Sequence, residues 1–214
     1  MVALAGCAAG GGGPRDRYAP LLTARADPGA VVATEIAFAR AAQEKGQWTA
    51  FREYAAADAV MFVPQPVKAQ DWLKKQADPD QAVKWQPHEV WSSCDGSLAI
   101  TRGAAQWPNG GDGEFMTMWQ RQADGAYRWI ADIGHSLAAP LAAPEFIVTH
   151  IADCSSPVPP DQRFASSERP ATKGQSADGS LQYLVHTMEG GSTVTLGMWD
   201  GSWRTFGPKV FAAR

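Results

Sequence analysis

"MTMWQRQADGAYRWIADIGHS", residues 116–136, decides how this chain folds. Apolar and polar residues alternate on both sides of Asp124-Gly125, a dipeptide suited to turns whose central residues need positive φ, so the stretch reads as a β-hairpin. A two-residue turn sets the register. Trp119 then faces Ile130 and Thr117 faces Asp132 on one side, while Met118 faces Ala131, Met116 faces Ile133 and Glu114 faces His135 on the other. Both sides carry large apolar groups. One is expected to pack on helices, and the other needs a cover. Strands within residues 145–206 are expected to supply it, by lying over the outside or by prolonging the sheet, in one fused unit rather than an independent second domain.

Moving outward, Trp85–Cys94 and Leu98–Trp107 read as strands joined at Asp95-Gly96, and "PNGGDG" links them to the hairpin. Four successive antiparallel strands follow from these turns. Upstream, Asp27 caps a helix with Pro28 in its first turn, and Gly46 ends it. A second helix starts at Thr49 and carries Phe51 and Tyr54, followed by a short strand "AVMFVP" and a third helix over residues 69–77. Downstream, a Pro-rich stretch at 140–180 is mostly loop, interrupted by one strand over 145–154. Leu181–Met188, Thr193–Trp199 and Trp203–Phe206 are further strands. The tetrapeptide "DGSL" occurs at 95–98 and again at 178–181, which reads as reuse of turn chemistry because the flanks differ.

Composition narrows the function. The chain has 214 residues, a net charge of −3 and 45% hydrophobic residues including nine tryptophans, enough to bury a core. Lys74-Lys75 is the longest basic run, so no row of phosphates is matched and nucleic acid is not an expected partner. No apolar run approaches the ~20 residues of a membrane-spanning helix. The histidines lack ligand spacing and there is no C-x-x-C, so neither a metal nor a cofactor is expected. A G-x-S-x-G elbow and a P-loop are also missing. The tryptophans read chiefly as core, with Trp72, Trp85 and Trp91 as candidates for a pocket mouth.

"EIAFARAAQEKGQWTAFREYAAADAVMFVP", residues 35–64, resembles the opening helices and first strand of the nuclear transport factor 2-like superfamily. The hairpin at 116–136 is similar to that group's closing strands. The resemblance covers residues 28–140 and implies an α+β fold, N-terminal helices packed in a curved antiparallel sheet shaped as a cone, here with additional C-terminal β-strands. The expected organisation is a tether at 1–27, the cone at 28–140 and a β extension at 141–214. Such a cone implies an apolar pocket for a small hydrophobic or amphipathic molecule, expected here to involve Tyr54, Trp72, His88, Met118 and Trp119.

The leading expectation is binding without turnover. The alternative is an isomerase, cyclase or dehydratase like the superfamily's ketosteroid isomerases, with Asp132 or Glu114 as base and Tyr54, His88 or His135 as acid or donor; Asp132 with His135 is the favoured pair. A plainer reading makes Asp132 and Thr117 a hydrogen-bonded surface pair. No position matches the isomerases' base and oxyanion donors closely enough to carry those roles over. A third expectation is a structural module that forms a homodimer through the open sheet face.

Leu4-Ala5-Gly6-Cys7 resembles a bacterial lipobox, which would place a lipid on Cys7 and make Ala8–Pro14 a flexible tether. That predicts a periplasmic or membrane-anchored lipoprotein, attached to membrane only through Cys7. A signal peptide needs a basic start and an apolar run that do not precede Cys7, so the true start lies upstream or the match is accidental and the protein cytoplasmic. In an oxidising compartment Cys94 and Cys154 are expected to pair; in a reducing one they are two separate thiols.

Overall fold

The computed structural model describes residues 25–159 and 171–212, so Cys7 and its tether lie outside the described residues. Helix α1 spans Pro28–Lys45, with the Asp27 carboxylate accepting the Ala30 N–H at 2.9 Å as its N-cap. It stops at Gly46, whose φ of 107° favours glycine. Helix α2, Gln47–Tyr54, begins at once, and its first N–H groups are capped from outside. Asp78 accepts from the backbone of Trp48 and Thr49 and from the Thr49 hydroxyl. Helix α3 covers only Ala69–Leu73, shorter than the expected 69–77.

Eleven strands are described: β1 Ala55–Phe62, β2 Pro66–Lys68, β3 Lys84–Ser92, β4 Leu98–Gln106, β5 Asp112–Arg121, β6 Tyr127–Leu137, β7 Val148–Ile151, β8 Ala171–Gln175, β9 Leu181–Met188, β10 Gly191–Trp199 and β11 Trp203–Ala212. They form a seven-stranded sheet in the order β2-β1-β6-β5-β4-β3-β7 and a four-stranded sheet in the order β11-β10-β9-β8. The β3–β6 meander is antiparallel, whereas β1 joins β6 and β7 joins β3 in parallel. The tail therefore does both things open to it: β7 prolongs the large sheet, and β8–β11 cover its outer face.

The large sheet separates two cores. Val31, Phe38, Ala42, Ala50, Leu73, Val90, Trp119 and Trp129 pack between its inner face and the helices. Leu98, Ile100, Met116, Met118 and Ile133 from its outer face meet Leu181, Tyr183, Val185, Val194, Leu196 and Phe211 of the small sheet. Few faces are left for a partner copy on that side.

One expected pairing is corrected. Trp119 faces Trp129, not Ile130. The turn holds three residues rather than two: Gln122 N–H donates to Ala126 O, Asp124 caps the Ala126 N–H, and Gly125 takes φ 85°. That slips the register by one. A β-bulge at Ile130 then slips it back, restoring Met118–Ala131, Thr117–Asp132 and Glu114–His135 as expected. The bulge also explains why Ile130 touches both cores.

The repeated turn is more than shared chemistry. Ser93-Cys94-Asp95-Gly96-Ser97-Leu98 and Ser176-Ala177-Asp178-Gly179-Ser180-Leu181 have the same internal bonds: the first serine's hydroxyl and the second serine's N–H both donate to the aspartate carboxylate. They also grip each other reciprocally. Asp95 N–H donates to Asp178 and Asp178 N–H to Asp95, each at 3.0 Å, while Cys94 N–H donates to Ser180 and Ala177 N–H to Ser97. These exchanged bonds relate the β3–β4 and β8–β9 turns by a local pseudo-two-fold axis. Beside them, Cys94 and Cys154 form a disulfide and Asp153 N–H donates to Trp199 O. One end of the sandwich is thus pinned by backbone and covalent links.

Candidate functional site: an aromatic cavity with a half-buried carboxyl

Between the helices and the inner sheet face lies a cavity of about 570 Å³. Its walls include Phe38, Trp48, Phe51, Trp72, Trp85 and Phe115. These side chains come from α1, α2, α3 and two strands, and they hold one another edge-on: Trp48 against Trp72 at 5.1 Å and Phe38 against Trp85 at 4.9 Å between ring centres. Across the mouth lies the segment 74–83, contributing Pro79, Gln81 and Val83. It is latched by Asp78 to the start of α2 and by Val83, which accepts from Gln43 and donates to Gln47.

Asp132 reaches this cavity from β6, beside its cross-strand neighbour Thr117, whose hydroxyl donates to Asp132 Oδ2 at 2.8 Å. Burial pushes the Asp132 carboxyl up to about 7, with the negative charge of Glu35 adding to the rise and the Thr117 hydrogen bond opposing it. The pair is hydrogen-bonded as the plainer reading has it, and it is half-buried in the wall of an open cavity rather than set on an outer surface.

Glu35 stands behind the cavity wall, fully buried on α1. Its carboxylate accepts from Trp85 Nε1 at 2.7 Å, Thr101 Oγ1 at 2.5 Å and Trp119 Nε1 at 3.1 Å. All three partners donate, which matches an ionised, acceptor-only carboxylate. Burial still raises its pKa, outweighing those bonds. Thr101, Thr117 and Asp132 are consecutive cross-strand neighbours, so Glu35 and Asp132 terminate one polar rank across an otherwise apolar face.

Other expected site residues fall elsewhere. Trp72 and Trp85 line the cavity, but Trp91 points to the other side and stacks on His150. Met118 is on the outer face, in the core shared with the small sheet. Trp119 faces inward yet is spent on Glu35 behind the wall, and Tyr54 stacks on Phe38 rather than lining the space. His88 occupies a bulge in β3, beside Gln86; burial lowers its pKa, with the Arg102 charge adding to the fall.

His135 does not converge with Asp132. Three residues along one strand point to opposite faces, and His135 sits between the sheets, its ring 4.7 Å from that of Phe211. Its Nδ1 accepts from Ala212 N–H at 3.3 Å, and its Nε2 lies 3.6 Å from Glu114. Glu114 is also bonded by Arg102 and approached by Lys209. Burial works to raise the Glu114 pKa, but the nearby His135 ring, the Arg102 hydrogen bond and the Arg102 and Lys209 charges outweigh it and hold the carboxyl below its usual value. Among the described residues no cluster has the makings of a metal site.

No protein-family model matches the sequence, and no curated protein does. Solved structures similar to it include two described as NTF2-like. A proposed ketosteroid isomerase from Parabacteroides distasonis is 12% identical, with a TM-score of 0.42 over 54% of this chain and 97% of its own. An NTF2-like protein of unknown function from Shewanella baltica is 13% identical, with a TM-score of 0.39 over 52% of this chain and 94% of its own. A third, from Methylobacillus flagellatus, is 14% identical with a TM-score of 0.39, covering 51% of this chain and 91% of its own.

Proposed function

We propose that this chain binds a small, uncharged, largely apolar molecule in the aromatic cavity, with Asp132 as the hydrogen-bonding anchor. One observation carries the reading: a cavity of about 570 Å³, aromatic on its helix side, with the Asp132 carboxyl set into its wall. Aromatic walls gain most from burying an apolar ring, and one buried polar group fixes its orientation. Isothermal titration with indan-1-one, a two-ring ketone, tests it. Micromolar binding that weakens at least ten-fold in Trp72→Ala supports the reading; absence of binding overturns it.

A second reading is favoured by the position of the Asp132 titration. A carboxyl near 7 populates both its acid and its base forms at neutral pH, as general acid–base work needs. In that role the Asp132 carboxylate removes a proton from the carbon next to a ketone, becomes a carboxylic acid that trades this proton with solvent, and returns a solvent-derived one to the enolate. Exchange of those protons of indan-1-one for deuterium, followed by NMR, separates the readings. Exchange lost in Asp132→Asn supports catalysis, and background-rate exchange in wild type leaves binding alone.

For location we propose the cell envelope. The Cys94–Cys154 bridge suits an oxidising compartment, and the lipobox-like LAGC suits a lipid on Cys7. Intact-mass measurement of protein from its own host reads acylation directly.

A further inference from the structure

We propose that the ligand site is bipartite, with the C-terminal sheet forming an annex that receives a hydroxyl-bearing tail on an elongated, uncharged ligand. This rests on the chamber reading above and extends it to the part of the molecule beyond the cone.

The annex follows from how β6 is paired. Strand β1 lies beside β6 only as far as Met61–Asp132, so from Ile133 onward that side of β6 has no strand from β1. The cavity runs on through this gap. Past Asp132 its lining passes to Ile133 and Gly134, then to Ser192, Phe211 and Ala212 of the small sheet, and to Glu114. Glu114 pairs with His135, three residues beyond the Thr117–Asp132 pair, so the annex lies about 10 Å along the strand at ~3.3 Å per residue. It also lies at the end of the sandwich away from the reciprocal turns and the disulfide, where the sheets meet through side chains.

The chemistry there selects the tail. Glu114 faces the cavity as a carboxylate already balanced by Arg102 and Lys209. An ammonium tail would meet those two cations, and a carboxylate tail would meet Glu114. A hydroxyl avoids both conflicts and donates to a free lone pair of Glu114. Ser192, whose own hydroxyl donates to Thr187 Oγ1 at 3.3 Å, offers a second acceptor, and the Phe211 ring packs along the methylenes.

Three probes test the proposal by isothermal titration calorimetry: 4-methylphenol, which fits the chamber alone, 4-hexylphenol and 4-(6-hydroxyhexyl)phenol. Wild type is expected to bind the hydroxyhexyl probe about ten-fold more tightly than the hexyl probe, the size of one hydrogen bond to a charged group. Ala212 is exposed and lines the annex, so Ala212→Trp fills it without entering the core. That variant is expected to abolish the preference while leaving 4-methylphenol within two-fold of wild type. Intermolecular NOEs in wild type, from the probe's terminal methylene to the Ala212 methyl, check the same contact without a substitution. Equal affinities for the two long probes in wild type, or a preference that survives Ala212→Trp, overturns the annex and leaves the chamber standing. Failure of 4-methylphenol to bind wild type overturns the chamber, and the annex with it.

Discussion

The two faces of the large sheet solve opposite problems. The outer face carries aliphatic and methionine side chains that interlock with the small sheet, and its far end is pinned by reciprocal turns and a disulfide. The inner face carries wide aromatic rings that meet the helices edge-on and leave a cavity, with Glu35 buried behind its wall and Asp132 half-buried in it. Two carboxyls drawn into the interior without a cation, Glu35 fully and Asp132 in part, are costly in a packed core. Their presence on the hollow face alone teaches that the outer face supplies stability and the inner face spends some of it on a site.

Four perturbations sharpen that contrast. The largest effect belongs to the disulfide. Its ends are 60 residues apart, so replacing both cysteines by serine should cost about 4 kcal/mol in the chain-entropy account, read by chemical denaturation. Next, Leu181→Ala on the sealed face should cost about 3 kcal/mol, whereas Trp72→Ala, beside an existing space, should cost less than half of that while reducing ligand affinity. Equal costs would mean that the two faces do not differ in the way described. Third, Asp178→Ala removes bonds to Asp95 N–H, Ser176 and Ser180, and should cost about 2 kcal/mol. Because Asp95 shares that exchange, the Asp95→Ala/Asp178→Ala double variant should cost less than the two single variants summed.

The fourth perturbation is pH, acting on the hollow face. A carboxyl raised to about 7 in the folded state, against about 4 unfolded, favours the folded state fully below pH 4. That contribution is lost as pH climbs through 7. Stability of wild type relative to Asp132→Asn should therefore fall between pH 4 and 7 and then level off. Glu35→Gln, by removing the neighbouring charge, should shift the Asp132 titration downward.

Legibility in the sequence followed the same division. Alternation around Asp124-Gly125 placed Thr117 opposite Asp132, although the loop carries one residue more than assumed, because the bulge at Ile130 compensates. Nothing in the local pattern announces that bulge. The same register already put Met118 and His135 on the face away from Asp132, so the parity of the strand argued against pairing Asp132 with His135. Glu35 was legible in part: it interrupts the stripe Val31, Phe38, Ala42 on one side of α1, the position where a charged residue must find donors. Its partners Trp85, Thr101 and Trp119 come from three strands, which no local pattern connects. The repeat of "DGSL" at 95–98 and 178–181 was visible, but its meaning required seeing the two turns touch.

The most direct test of the hollow face is carboxyl-detected 13C NMR of Asp132, titrated with and without indan-1-one. A midpoint near 7 that moves when the ketone is added is the predicted result. A midpoint near 4 that ignores the ketone would show Asp132 in ordinary contact with water and would contradict the account.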